Sequence, residues 1–264
     1  MLQEVDQTYL EWMLENRPET PEGKSGKISI THEVIPIGTE LPIVSMRNAI
    51  FMGQKPTKIK FTHPFIIRHL KEEDQGEWMT DSPQEIWQMA KPIQECHGKV
   101  LVGGLGLGVV AHLMDEINDD IKEVVVIEKN SDILDLVSDA ISDGVDIREG
   151  NLFEYLKHVE PEQYDSAFFD IWQSTGEISW VEYIVPLRRA TAKKIPHVLC
   201  WNEVEMQGQL RNTFQSAAYC KEDDLYQGMM AYADVFRRCV QKDKVVVGEW
   251  GEISQPPMKE CFAN

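Results

Sequence analysis

The stretch Lys99-Val100-Leu101-Val102-Gly103-Gly104-Leu105-Gly106-Leu107-Gly108-Val109-Val110-Ala111-His112 limits what this chain can fold into more than any other. An apolar run that reads as a strand meets four glycines in six residues, and a second apolar run with helical spacing follows at once. Glycine weakens strands and helices alike, so such a cluster marks a turn that needs positive φ or a close approach to the backbone. The strand–helix alternation then repeats. Residues 123–128, 145–150, 164–172 and 197–203 read as strands, and 131–141, 151–159 and 180–192 as helices. Continuous apolar strands alternating with helices predict a parallel sheet covered on both faces. The expected class is α/β: a doubly wound, Rossmann-like, mostly parallel sheet.

A different pattern precedes it. Residues 6–16 place Tyr9, Leu10, Met13 and Leu14 on one helical face. Residues 17–27, with Pro18, Pro21, Gly23 and Gly26, read as a flexible linker. Gly23-Lys24-Ser25 matches the end of a phosphate-binding loop, but proline stands where the pattern needs its first glycine, and no apolar strand precedes it. Short β-branched segments from Lys27 to Ile67 predict a small β-rich N-terminal subdomain with hairpins. Residues 80–93 open a helix with Asp81 or Ser82 as cap and Pro83 in the first turn. The division expected is residues 1–75 for the N-terminal helix and β-rich piece, and 76–264 for the Rossmann-like domain. Its last part reads as helical from Gln209 to Val240, with a final strand over 244–250.

Charge narrows the partners. A net charge of −18 over 264 residues repels nucleic acid at long range and suits a small molecule, a cationic substrate or a protein partner. The basic clusters Lys55, Lys58, Lys60 and Arg188, Arg189, Lys193, Lys194 read as solvated faces. No run of 18 apolar residues spans a membrane, and the N-terminus has no signal pattern. The five cysteines, Cys96, Cys200, Cys220, Cys239 and Cys261, lack CxxC spacing and read as core filler in a reducing, cytoplasmic setting. The histidines lack ligand spacing, so no metal is expected.

Ligands of doubly wound sheets sit at the carboxyl ends of the strands. Two registers of the glycine loop fit a cofactor. Gly106, Gly108 and Ala111 match the dinucleotide pattern GxGxxA, and Gly104, Gly106 and Gly108 match GxGxG. Glu128 ends the second strand, where a carboxylate accepts the hydroxyls of an adenosine ribose. Asn151, just beyond the third strand, offers an amide to an adenine edge or a cap to the next helix, and Leu152 can pack on the ring. Asp170 ends the fourth strand and can orient an amino group or act as a base. Trp172 and Trp201 follow two strand ends and can wall a pocket. Glu203 and Glu205 either add negative charge for a cationic substrate or belong to a solvated loop.

Together these segments resemble class I S-adenosylmethionine-dependent methyltransferases, and within them the spermidine synthase-like group. Val100–Gly108, Val124–Asn130, Ile147–Leu156 and Tyr164–Trp172 run in the family's order and spacing, and the resemblance covers roughly residues 78 to 205. It implies S-adenosylmethionine as cofactor. Gly104, Gly106 and Gly108 would line its methionine and ribose portion, Glu128 would hold the ribose, Asn151 would read the adenine, and Asp170 would stand beside the reacting centre. It also implies a chain that pairs as a homodimer. Departures are visible: Gly103 or Val102 replaces the acid that commonly opens the glycine motif, and Asp-Pro is missing after Asp170. The reading is a methyltransferase acting on a small molecule or protein. An aminopropyltransferase, a non-catalytic interaction module, and an NAD-dependent dehydrogenase resting on GxGxxA alone are the alternatives.

Overall fold

The computed structural model describes residues 5–44, 56–173, 176–216, 225–240 and Lys242. Helix α1 (Gln7–Glu15) starts where the Asp6 side chain accepts the Tyr9 amide, and it buries Leu10, Met13 and Leu14, three of the four residues expected on one face. The segment expected to be a flexible linker is partly ordered: Gly23–Ser25 is strand β1, paired antiparallel with β2 (Ile28–Ile35). Pairing to β2 satisfies backbone groups that composition alone left to solvent.

Strands β3 (Glu40–Val44) and β4 (Thr57–Lys60) form a two-stranded antiparallel pair. Strands β5 (Phe65–Glu72) and β6 (Gly76–Thr80) complete an antiparallel sheet of order β1-β2-β5-β6. This is the β-rich piece read from the sequence, with β6 as a strand the sequence reading did not separate. Helix α2 (Pro83–Glu95) follows, with Ser82 as its cap and Pro83 in its first turn.

From residue 98 the alternation is the one expected. Strands β7 (Gly98–Gly103), β8 (Ile121–Glu128), β9 (Val145–Glu149), β10 (Ser166–Phe169) and β11 (His197–Cys200) make one all-parallel sheet of order β11-β10-β7-β8-β9. Helices α3 (Val109–Ile117), α4 (Ser131–Val137) and α5 (Leu152–His158) supply crossovers. Val100, Leu101, Val124, Val125, Val126, Ala167 and Phe169 are fully buried, which is why these strands carry no polar alternation. Burying each of these valine, leucine and phenylalanine side chains contributes roughly 1.5–3 kcal/mol. The chain is therefore a doubly wound, Rossmann-like α/β protein, the fold that the resemblance to class I methyltransferases implies.

The chain divides into two compact units, residues 1–171 with 190–201, and 172–189 with 202–264. The second contains a π-helical turn at Trp180–Ile184 leading into α6 (Val185–Thr191), then α7 (Glu203–Ser216) and α8 (Leu225–Val240). The helical character expected from Gln209 to Val240 is present over the described part. The strand expected over 244–250 lies outside the described residues. Arg188 pairs with Glu203, and Arg189 pairs with Asp234 at 2.9 Å, so those two basic residues are partnered within their own unit. No helix among the described residues is long and apolar enough to cross a membrane.

Candidate functional site

Strand order reverses at β7. The chain leaves it for β8 and β9 on one side and returns to β10 and β11 on the other. Gly103 pairs with Phe169 at the carboxyl ends of β7 and β10, and this is where a doubly wound sheet opens a ligand crevice. Gly104–Gly108 and Asp170 follow directly.

The loop is built for its own chain. Gly104 sits at φ +90°, and a Cβ there would stand 2.2 Å from the Asp170 carbonyl oxygen. Gly108, at φ +78°, is the cap of α3, and a Cβ would meet Ile141 Cδ1 at 2.0 Å. Neither position tolerates a side chain. At Gly106 a Cβ would lie 2.4 Å from the Met79 sulfur. The amides are also spent. Gly104 N–H donates to the Ile127 carbonyl at 2.9 Å, and Gly108 N–H to Leu105 at 2.8 Å. Leu105 N–H donates to Glu128 Oε2 at 2.8 Å, and Leu107 N–H to Met79 Sδ at 3.3 Å. Four of the five amides from Gly104 to Gly108 thus have partners inside the protein.

Glu128 is 5% exposed, and its second oxygen accepts the Asn130 amide at 2.8 Å. Each carboxylate oxygen can accept two hydrogen bonds, so one site on each oxygen is left for a ligand hydroxyl. Asn151 caps α5: its Oδ1 accepts the Phe153 and Glu154 amides at 2.9 and 3.2 Å. That use leaves the two donors of its amide group. Leu152 is buried, and its Cδ2 lies where a Cβ on Gly103 would be 2.4 Å away. Leu152 therefore packs beneath the end of β7.

Asp170 N–H donates to the Gly103 carbonyl at 2.9 Å, holding the residue beside the loop. Burial pushes its carboxyl up to about 8, and the charge of Glu85 adds to the rise. Glu85 is absent from the sequence reading. It lies in the first turn of α2, and its two oxygens accept the Thr80 amide and hydroxyl, both at 2.8 Å. Burial raises Glu85 to about 7 against those bonds, with Glu77 and Asp81 adding to the rise. The signal that could have found it is Ser82-Pro83-Gln84-Glu85, a capping-box pattern whose glutamate ordinarily turns back to the cap amide. Here the Ser82 hydroxyl accepts the Glu85 amide, while the Glu85 carboxyl goes to Thr80 instead.

Trp201 follows β11, with its amide on the Phe169 carbonyl at 2.9 Å. Its indole N–H is buried without a partner among the described residues. Trp172, in the other unit, is buried and stacks on Tyr183 at 5.8 Å between ring centroids. Glu203 and Glu205 are not in a solvated loop. Both are buried in the first turn of α7, with Glu203 paired to Arg188 and Glu205 accepting from Gln209 at 3.2 Å.

No protein-family model matches the chain, and no curated protein matches it. Solved structures similar to it include precorrin-8W decarboxylase of Methanobacterium thermoautotrophicum (18% identity over 43% of this chain and 58% of that one, TM-score 0.31). Fibrillarin of Aeropyrum pernix, with natively bound S-adenosyl-L-methionine, matches at 17% identity over 48% of this chain and 59% of that one, with TM-score 0.30. Spermidine synthase of Thermotoga maritima matches at 11% identity over 67% and 70%, with TM-score 0.36. The chain thus spans 58% and 59% of the first two. These are likenesses of fold, and the fold stands on the chain's own strand order.

Proposed function

We propose that the chain is an S-adenosylmethionine-dependent methyltransferase acting on a small molecule or a protein. One observation carries this reading: the glycine loop spends its amides on its own protein, one of them on the Glu128 carboxylate, with Asp170 at the adjoining strand end. A dinucleotide presents a pyrophosphate that needs free loop amides. A loop whose amides are bonded to Ile127, Leu105, Glu128 and Met79 offers little to that group. S-adenosylmethionine has no phosphate and carries a sulfonium and an ammonium, which suit a site bordered by Glu128 and Asp170.

Under this reading Glu128 holds the ribose hydroxyls, Asn151 donates to the adenine edge, and Gly104, Gly106 and Gly108 shape the floor beneath the methionine portion. Leu152 backs that floor from below. The cofactor, when bound, supplies a methyl group already activated by the sulfonium. The protein's task is then positioning and desolvation, with a base wherever the acceptor is protonated. Asp170 is that base.

Aminopropyl transfer from decarboxylated S-adenosylmethionine is a second reading, favoured by Glu85, an acid in the first turn of α2 whose charge acts on Asp170. The two separate in one assay. The chain is incubated with S-adenosylmethionine or its decarboxylated form, labelled on the group to be transferred, and with mixed amine, hydroxyl and peptide acceptors. Label leaving the methyl position supports methyl transfer, and label leaving the aminopropyl chain supports the second reading. Label retained in both cofactors across the acceptor panel contradicts both.

A further inference from the structure

Glycine loses more conformational freedom on ordering than any other residue, so an ordered glycine-rich loop calls for contacts from outside itself. Leu107, 1% exposed and set between Gly106 and Gly108, receives them through both of its backbone polar groups. Its amide donates to the Met79 sulfur, and its carbonyl accepts the Thr20 hydroxyl, each at 3.3 Å. Neither holder belongs to the parallel sheet. Met79 is in β6, and Thr20 lies in the segment 17–27 that precedes β2.

That segment is fixed along its length. Arg17 pairs with Asp81 at 3.0 Å. Thr20 is 1% exposed, and its carbonyl accepts Arg68 Nε at 3.2 Å. Pro21 disfavours helical backbone at Thr20, which keeps the segment extended there. Further on, the Ser25 hydroxyl lies 3.1 Å from an oxygen of Asp132 and of Asp135, and the Lys27 amide donates to Asp132 at 3.3 Å. Both acids are on α4, the helix capped by Asn130. The segment thus bonds to the glycine loop at Leu107 and to α4 at Asp132. Glu128 joins the same two elements, through the amides of Leu105 and Asn130.

We propose that Thr20 is a positioning residue of the cofactor loop, and that segment 17–27 is a strap that sets the loop against α4 before a ligand arrives. This rests on the S-adenosylmethionine reading of the loop. Thr20 acts through the Leu107 carbonyl, and Met79 steadies the same residue through its amide. A loop set in advance loses no binding energy to ordering, so loosening the strap weakens the cofactor. Thr20→Val leaves the buried Leu107 carbonyl without its donor, whereas Thr20→Ser keeps the hydroxyl.

The test compares these two variants with the wild type in the full chain, by amide hydrogen exchange without ligand and by calorimetric titration with S-adenosylhomocysteine. Thr20→Val is expected to speed exchange at Leu107, relative to Val125 in β8, and to weaken S-adenosylhomocysteine, each by about fivefold, the worth of one hydrogen bond. Thr20→Ser stays near the wild type in both. Asn118→Ala is the control for stability alone, since its side chain holds the Ile93 and Cys96 carbonyls at 2.7 and 3.0 Å, before β8 begins. It should lower the melting temperature and leave the affinity unchanged. Leu107 exchange unmoved by Thr20→Val overturns the hold, and unchanged affinity in that variant overturns its role in binding. If Thr20→Val does not fold, Ser25→Ala decides, because it loosens the strap at α4. Faster Leu107 exchange and weaker binding support the proposal, and no change in either overturns it. Silence of the wild type toward S-adenosylhomocysteine counts against the cofactor reading, and the exchange then decides the strap by itself.

Discussion

Replacing Asp81 by Asn should unfasten the corner that carries Met79, Thr80 and Glu85. Asp81 Oδ1 accepts the Arg68 amide at 2.6 Å, and Oδ2 accepts Arg68 Nη1 at 2.7 Å and meets Arg17 Nη1 at 3.0 Å. Arg17 also donates to the Asp81 and Ile66 carbonyls and lies 4.2 Å over the Phe65 ring. Burial pulls the Arg17 guanidinium down to about 10. The Asp81 charge opposes that fall, and Arg68 adds to it. With Asn at position 81, two buried guanidiniums lose their shared carboxylate. Breaking a buried ion pair from one side costs about 3–5 kcal/mol. At about 2–4 °C per kcal/mol for a chain of this size, the melting temperature should fall by roughly 6–20 °C. The triple replacement Arg17→Met, Asp81→Leu, Arg68→Met removes all three charges at once and should recover most of the loss. Thermal unfolding followed by calorimetry and circular dichroism reads both. A loss below about 1 kcal/mol in Asp81→Asn, on the scale of an exposed pair, would refute the reasoning.

Gly104→Ala should destabilise the chain more than Gly106→Ala, because the first meets backbone at 2.2 Å and the second meets the flexible end of Met79. A double-mutant cycle in urea should show Met79→Ala relieving part of the Gly106→Ala cost and none of the Gly104→Ala cost. Asn151→Ala should lose about 1 kcal/mol as a missing helix cap. Asn151→Asp keeps the cap, so it should hold stability while weakening cofactor binding about tenfold through the lost amide donors; equal binding would remove Asn151 from the site. Asp170 is raised in the folded chain to about 8 from 3.8, so the folded state keeps a proton that the unfolded state releases. Its contribution is fully present at pH below about 4 and is lost as pH climbs toward 8. Asp170→Asn should therefore flatten the fall in stability between pH 5 and 8, and an unchanged slope would contradict the raised carboxyl.

The parallel sheet was legible because its code is local: short β-branched apolar runs such as Val124–Ile127, alternating with helical segments, fit strands buried on both faces. The ends of those strands were legible for the same reason, which is why Gly104, Glu128, Asn151 and Asp170 stand at or just beyond the strand ends where counting along the chain puts them. What escaped depends on distant partners. Gly23–Ser25 is a strand only because Ile28–Ile30 folds back on it. Glu85 goes unnamed in the sequence analysis, since its turn toward Thr80 is decided by the packing of β6. Met79 goes unnamed too, because its sulfur on the Leu107 amide depends on the loop's path. Glu203 and Glu205 were left as either substrate-facing or solvated, and the Arg188 and Gln209 partners that bury them are set by tertiary packing.

The most direct test of the central claim is calorimetric titration of the wild-type chain with S-adenosylmethionine, S-adenosylhomocysteine and NAD under one set of conditions. A loop with spent amides and a carboxyl border predicts binding of the first two at about micromolar Kd, near −8 kcal/mol, and no heat from NAD. Binding of NAD, or silence from both sulfur-containing ligands, would contradict it.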